Sequence, residues 1–256
     1  MSWLELLVLA VVQGVTEFLP VSSSGHLVLF GDWMGANQDV VEVNIMLHAG
    51  TLVAILIVYR QQLLRMLFQD WRLFSRVVVG TIPAVIVGFT VKFYFEELLE
   101  SVWLTGAMLP VTGLLLFACK SSVPREKTLS DLTYGQALVI GCFQAVAVLP
   151  GISRSGSTIA AGLFVGLKRD DAALFSFLLA VPVLCGAVLL ESVSLWRGEE
   201  TLATPLPMML AGAGVACVVG VIALKLLLKV LEQGVLNWFG WWCVLVGAFV
   251  LLRETL

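Results

Sequence analysis

Six stretches of the chain contain no Asp, Glu, Lys or Arg: Val43–Tyr59, Val77–Val91, Ser101–Cys119, Ala172–Leu190, Thr201–Leu224 and Gln233–Leu252. An apolar run of roughly 20 residues, within a range of about 17–25, is long enough to cross a bilayer as an α-helix. A helix is suited to that medium because it satisfies its backbone N–H and C=O groups internally. Val77–Val91 is short alone, but Phe93, Tyr94 and Phe95 extend it past Lys92. The runs are too long, and too poor in alternating polarity, for barrel strands. The expected fold is therefore all-α and polytopic, with six spanning helices. Composition agrees: 59% of residues are hydrophobic and 13% charged, against about 25% charged in a soluble domain. A net charge of −3 with scattered Lys and Arg leaves no basic stripe, which excludes nucleic acid as a partner.

Met1–Leu19 carries Glu5 and Glu17 but no Lys or Arg. Without the basic n-region of a signal peptide, this segment is expected to stay in the mature protein. Cys119, Cys142, Cys185, Cys217 and Cys243 show no CxxC spacing and are expected to be packing residues.

Two further stretches are apolar yet interrupted. Leu6–Gly31 is broken by Glu17, Pro20 and Gly25, and Leu132–Leu167 by Pro150, Gly151, Arg154 and Gly156. Each precedes three spanning runs. At a constant offset of 131, Gln13–Gly25 aligns with Gln144–Gly156 with five identities in thirteen positions. The chain thus reads as one membrane domain, 1–256, made of a first repeat, 1–122, a cytoplasmic linker, 123–133, and a second repeat, 134–256.

Basic residues set the orientation. Suppose that each broken stretch is a re-entrant helix–loop–helix pair that leaves on the side it entered. Arg60, Arg65, Arg72 and Arg76 in one loop, Lys120, Arg125 and Lys127, Lys168 and Arg169, and Lys225 and Lys229 then all lie on the cytoplasmic side. Lys92, Arg197, Arg253 and the acidic groups Glu96, Glu97, Glu100, Glu199 and Glu200 lie outside. Three spans per half invert the second repeat, giving an inverted-topology repeat of about ten helical segments with both termini extracytoplasmic.

Inverted repeats with discontinuous helices place their site near the midplane, where the broken segments meet. Ser22, Ser23 and Ser24 before the apolar run His26–Phe30, and Ser153, Ser155, Ser157 and Thr158 around Arg154, are N-cap signals. Two facing helix N-termini, ringed by hydroxyls and one Arg, suit a phosphate group. Any single serine can instead serve helix packing, and Gly25 and Gly156 are read as conformational. Glu17, His26 and Arg154 are ionisable groups within the membrane and point to function. His48 lies in an apolar run away from both breaks and is expected to pack. Gly162-xxx-Gly166 serves a close helix contact, within the fold or in a homodimer.

Gln13-xxx-Glu17, then Pro-Val-Ser-Ser-Ser-Gly-His26, together with Pro150-Gly-Ile-Ser-Arg-Ser-Gly-Ser-Thr158, resembles the bacitracin-resistance type of undecaprenyl-pyrophosphate phosphatase over the whole chain. The resemblance implies hydrolysis of a C55 prenyl pyrophosphate to the monophosphate at the outer face of the bacterial inner membrane, which recycles the carrier lipid of cell-wall synthesis. It places the family's acidic motif on Gln13 and Glu17, its Ser-(Ser/Thr)-Gly-His on Ser23, Ser24, Gly25 and His26, and its essential Arg on Arg154. Many members carry Glu where this chain has Gln13, so any base or anionic metal-ligand duty would pass to Glu17.

The chemistry agrees. A pyrophosphate ester is multiply anionic, whereas Glu17 and Arg154 cancel. A divalent cation, Mg²⁺ or Ca²⁺, with Glu17, serine hydroxyls and substrate oxygens as ligands, is the expected cofactor. No His/Cys cluster suggests zinc. In one mechanism Ser23 attacks the terminal phosphorus while Glu17 or His26 takes its proton. In the other, water attacks, His26 protonates the leaving phosphate and Ser23 only binds. Gln13, Ser22, Ser24, Gly25, Ser153, Ser155, Gly156 and Thr158 are expected to contact substrate. A second function class stays open, a secondary transporter or flippase of a phosphorylated lipid or anion, because the same repeat plan builds transporters.

Overall fold

The structure, a computed structural model, describes residues 1–35, 37–119, 126–197 and 204–255. Lys120, Arg125, Glu199 and Glu200, which entered the orientation argument, lie outside the described residues, as does the side chain of Arg197. The described residues form eleven α-helices and no strand beyond one isolated bridge, Lys127 to Leu167. In chain order they are α1 (Trp3–Thr16), α2 (Ser23–Met34), α3 (Asn37–Val58), α4 (Arg60–Phe68), α5 (Trp71–Tyr94), α6 (Val102–Ala118), α7 (Tyr134–Val146), α8 (Arg154–Phe164), α9 (Arg169–Arg197), α10 (Leu206–Gln233) and α11 (Asn237–Thr255).

Among the described residues four helices are long and apolar enough to cross a membrane: α5, α9, α10 and α11. From Val43 on, α3 passes the same test together with α4, and this pair, bent by 77° at Tyr59, is a fifth span if the two count as one. The sixth expected span, α6, is a 17-residue helix. Large apolar side chains such as Trp3, Phe68, Trp103, Trp238 and Leu245 are more than half exposed on the outer surface, as lipid contact requires. This is a multi-pass membrane protein.

One expected loop is a helix. Arg60 and Arg65 stand exposed on α4 while Leu63 and Met66 of the same helix are buried, and Arg72 and Arg76 belong to the start of α5. The i, i+3 spacing of Leu63 and Met66 gives α4 one buried edge beneath a polar face. Arg76 donates to the Leu129 and Ser130 carbonyls at 2.8 and 3.3 Å.

The four remaining helices are short: 14 residues in α1, 12 in α2, 13 in α7 and 11 in α8. At about 1.5 Å per residue each reaches little more than halfway through a hydrocarbon layer about 30 Å thick. Capping boxes at Ser2 with Glu5 and at Thr133 with Gln136 start α1 and α7. Each pair turns back on itself, α1 against α2 and α7 against α8. The open end of the first pair lies beside the end of α11, where Arg253 donates to Asp32 at 2.7 Å. The open end of the second lies with the start of α5, where Tyr134 and Ser75 hydroxyls are 2.9 Å apart, and with Lys127.

The broadest helix contacts pair α6 with α11, α3 with α10, α5 with α7, and α1 with α10. Such contacts within an apolar medium depend on close backbone approach. Gly141 of α7 lies directly over Gly80 of α5, so that a Cβ at Gly141 would collide with the Gly80 carbonyl. Gly162 faces Ala172 at the α8–α9 corner and Gly166 turns the chain there with φ +92°, so this glycine motif serves a contact inside the fold. Cys119 and Cys243 are buried, but Cys142 and Cys185 are exposed on the outer surface, which corrects the expectation that all five cysteines pack.

Replacing Gly141 by Leu will force α5 and α7 apart, an overpacking cost of at least about 1–3 kcal/mol. In detergent, Gly141→Leu is expected to lower Tm by several degrees or abolish monodisperse protein. Gly88→Leu, at a position with nothing within 4 Å, will leave Tm unchanged.

Candidate active site

The site is built where the two short helix pairs turn. Helical bonding in α1 runs to Leu19, whose N–H still reaches the Val15 carbonyl at 3.3 Å. Pro20 then has no N–H to offer, and the chain reverses through Ser22. Ser22 is the one non-glycine among the described residues with positive φ, +71°. In the second pair Pro150 is followed by Gly151 at φ +91°, a conformation that glycine adopts without strain. Ser22 and Ser153 are the N-caps of α2 and α8, and their hydroxyls accept the N–H of Gly25 and Gly156 at 3.3 and 3.0 Å.

The two turns touch. The Ser22 hydroxyl also accepts the Gly151 N–H at 3.2 Å, and Ser155 donates to the Leu19 carbonyl at 3.3 Å. Thr112 of α6 pins the second turn, donating to the Gly151 carbonyl at 2.8 Å and accepting the Ser153 N–H at 3.0 Å. Gly25 and Gly156 sit where the turns press together, with Gly151 and Pro20 about where a side chain would begin. Thr158 bonds back to the Arg154 carbonyl at 2.8 Å and to Ser176 of α9, well behind the turn.

Glu17 is at the centre, 6% exposed. Phe18 beside it packs fully buried against Phe177, ring centroids 5.8 Å apart, which anchors the turn that carries the carboxylate. One carboxylate oxygen, Oε1, is bonded to Arg154. The other, Oε2, accepts from Ser23 Oγ at 2.6 Å and from Gln13 Nε2 at 3.0 Å, one helical turn back. The ion pair joins residues 137 apart in sequence and closes the two turns over one another.

A cavity of about 490 Å³ opens onto this cluster. Glu17, Ser23, Ser24 and Arg154 line it, and Asp32, Lys92, Glu96 and Glu100 line its other end. Val183, Leu184, Ala187 and Val188 of α9 give the wall an apolar stretch. Of the remaining site residues expected from sequence, Gln13, Ser22, Gly25, His26, Ser153, Ser155, Gly156 and Thr158 are not on the cavity wall. They hold those that are.

The two histidines are placed differently from the sequence expectation. His26 donates through Nδ1 to the Ser22 carbonyl at 2.8 Å, while Nε2 accepts from Trp242 Nε1 at 3.1 Å, so both ring nitrogens are occupied against the protein. His48 was expected away from the breaks, yet its Nε2 lies 3.8 Å from Glu17 Oε2 and its ring lines the cavity. Its Nδ1 donates to the Asn44 carbonyl at 2.7 Å, which directs Nε2 inward. Sequence reasoning also missed Thr112. Neither residue carries a motif, and only the fold brings it to the turns.

The donors available to a cation are hard oxygens. Glu17 and the Ser23 hydroxyl are accompanied by Gln13 Oε1, a buried acceptor without a hydrogen-bond partner among the described residues. This set fits Mg²⁺ or Ca²⁺, which take carboxylate, hydroxyl and amide oxygens. No group of three or more His, Cys, Asp or Glu that could hold a metal occurs among the described residues.

Comparison with known proteins gives a consistent result. Residues 6–249 match the family model described as bacitracin resistance protein BacA. An undecaprenyl-diphosphatase of Rhodopirellula baltica is 45% identical over 249 residues, 97% of each chain. Enzymes of the same name from Desulfatibacillum aliphaticivorans and Halothermothrix orenii are 41% and 40% identical, covering 99% and 98% of each chain.

Ser22→Ala would leave the Gly25 and Gly151 N–H groups buried without an acceptor, a cost of about 1–3 kcal/mol per group. A drop in Tm of several degrees is expected in thermal unfolding. Thr90→Ala, which removes an exposed hydroxyl bonded only within its own helix, will not move it.

Proposed function

The chain belongs to the bacitracin resistance protein BacA family, and from that premise we propose that it hydrolyses undecaprenyl pyrophosphate to undecaprenyl phosphate and inorganic phosphate. The observation that carries the reading is the cluster of Glu17, at the end of α1, with Ser23 and Arg154, at the starts of α2 and α8, on the wall of a cavity that is otherwise largely apolar. Helix N-termini and a guanidinium favour phosphate, and the apolar α9 wall suits the first isoprene units.

In the reaction we propose, the terminal phosphate takes over Arg154, whose NH1 is a buried donor with no partner among the described residues. Glu17, released from Arg154, accepts the Ser23 proton along the hydrogen bond already present. The Ser23 oxygen–phosphorus bond forms as the bond to the bridging oxygen breaks, and its electron pair leaves with the lipid monophosphate. Water then attacks the phosphorus as the Ser23–phosphorus bond breaks, and Glu17 returns the proton it took first to the departing Ser23 oxygen. The carboxylate so regenerated accepts the water's proton and releases it to solvent, which restores the Glu17–Arg154 pair as inorganic phosphate leaves. A Mg²⁺ or Ca²⁺ ion held by Glu17, Gln13 and Ser23 would neutralise the phosphate oxygens. Ser24, on the cavity wall, adds a hydroxyl for substrate. His26, in this reading, positions the start of α2 through its bond to Ser22.

We further propose that the two halves form an inverted repeat with both termini extracytoplasmic. The N-cap bonds of Ser22 and Ser153 are equivalent at the offset of 131, and the contact of α1 with α10 corresponds to that of α7 with α5. Basic residues gather with α4, Lys127, Lys168 and Arg169, whereas the cavity reaches the acidic end with Asp32, Glu96 and Glu100. By the positive-inside rule the site faces the periplasmic side of the inner membrane, where it would recycle the cell-wall carrier lipid.

Purified protein is expected to release phosphate from undecaprenyl pyrophosphate with Mg²⁺ or Ca²⁺ and to stop when chelator is added. Glu17→Ala and Arg154→Ala will each lose at least about a hundredfold in kcat, the scale for removing an electrostatic stabiliser from an active site. Release that persists in both would overturn the assignment. Ser23→Ala with most of its kcat intact would make water the nucleophile. Lipid transport into liposomes without phosphate release would make the protein a carrier.

A further inference from the structure

Gln144 occupies the position in the second half that Gln13 occupies in the first, at the same offset of 131. Gln13 Nε2 donates to Glu17, four residues on. The residue four after Gln144 is Val148, which has no acceptor. The amide has been kept where its partner is missing. Gln144 is 2% exposed, and neither its Nε2 nor its Oε1 has a hydrogen-bond partner among the described residues.

An unpaired buried amide is costly, because each polar group has given up its bonds to water with nothing in return. Most other buried polar side chains here are satisfied: Thr16, Ser22, Thr51, Thr81, Thr112 and Ser176 all have partners. Gln144 is also on the cavity wall, which it shares with Ala147, Val148 and Pro150 and with Val183 and Leu184 of α9. It therefore stands on the second-half side of the cavity, the side of Arg154, where the wall becomes apolar. Glu17 and Ser23, which would act on the terminal phosphate, come from the first half.

We propose that Gln144 is a substrate-binding residue whose Nε2 donates to an oxygen of the lipid-linked phosphate, the one that is not attacked. This rests on the phosphatase reading and adds to it a basis for selecting a diphosphate. A terminal phosphate held by Arg154 and Ser23 alone would fit any phosphate ester. The amide supplies the second contact that only a diphosphate can reach.

Farnesyl pyrophosphate as substrate, with farnesyl phosphate and inorganic phosphate as competitive inhibitors, separates the possibilities. In Q144L, KM for farnesyl pyrophosphate is expected to rise about tenfold or more, the scale of one hydrogen bond to a charged group, with kcat within about threefold and Tm unchanged. The Ki of farnesyl phosphate will rise by a similar factor while that of inorganic phosphate stays put. Q144E keeps the side-chain volume, adds a like charge, and should raise KM further, so it serves if Q144L does not fold. An unchanged KM in folded Q144L or Q144E, or a fall in kcat and Tm without a KM change, overturns the proposal. If the wild type releases no phosphate, the phosphatase reading fails on its own. Thermal-shift titration with farnesyl phosphate then decides Gln144 alone: weaker binding in Q144L supports it, and equal binding refutes it.

Discussion

A carboxylate in an apolar bundle has to be neutralised where it sits. Removing one ion of this size from water costs several kcal/mol after relaxation, and a nearby opposite charge with good hydrogen bonds is what offsets it. Glu17 is 6% exposed and finds that charge on Arg154, in the other half of the chain. Both helices must therefore end at the same depth, and both turns must approach closely enough for one side chain to reach the other. The remaining features of the centre follow from that demand. The Ser22 hydroxyl and the Thr112 clasp satisfy backbone groups that the proline-interrupted helices would leave bare, and the glycines at 25, 151 and 156 let the two turns approach.

The same pair suits the proposed chemistry. In the resting structure Arg154 covers one oxygen of Glu17 while Ser23 and Gln13 cover the other. An incoming phosphate competes for Arg154 with higher charge, and the carboxylate it displaces is already bonded to the hydroxyl that would attack. In the proposed reaction, substrate binding and activation of the nucleophile are thereby one event. The two halves contribute unequally, since Val148 stands where the first half has Glu17 and Arg154 where it has Ser23. One half supplies the proton acceptor and hydroxyl, the other the cation and, in our proposal, the Gln144 amide.

Much of this was legible in the sequence. Charge-free runs identify the long helices because no other element can hold them in lipid. Pro20 and Pro150 mark the breaks, and Glu17 and Arg154 announce themselves as charges that an apolar segment would not otherwise contain. The histidines were not legible. His26 stands in the serine motif yet spends both nitrogens on Ser22 and Trp242, while His48, in an ordinary apolar run, meets Glu17. His48 lies in a run apolar on all sides, where periodicity does not say which face meets a cavity, and the serine motif does not say which of its residues turn inward. Thr112 and Gln144 were hidden for a related reason, since their roles arise from contacts across the fold. The helix α4 was read as a loop because its arginines dominate a segment with only Leu63 and Met66 turned inward.

In the proposed reaction Arg154 exchanges the Glu17 carboxylate for the substrate's terminal phosphate. Its most direct test is a structure of the full chain with a non-hydrolysable methylene bisphosphonate analogue of the prenyl pyrophosphate. The terminal phosphonate is expected between Arg154 and Ser23, with the Glu17–Arg154 contact broken and the Ser23–Glu17 hydrogen bond retained. An analogue bound elsewhere, or bound in the cavity with the Glu17–Arg154 pair intact, would contradict it.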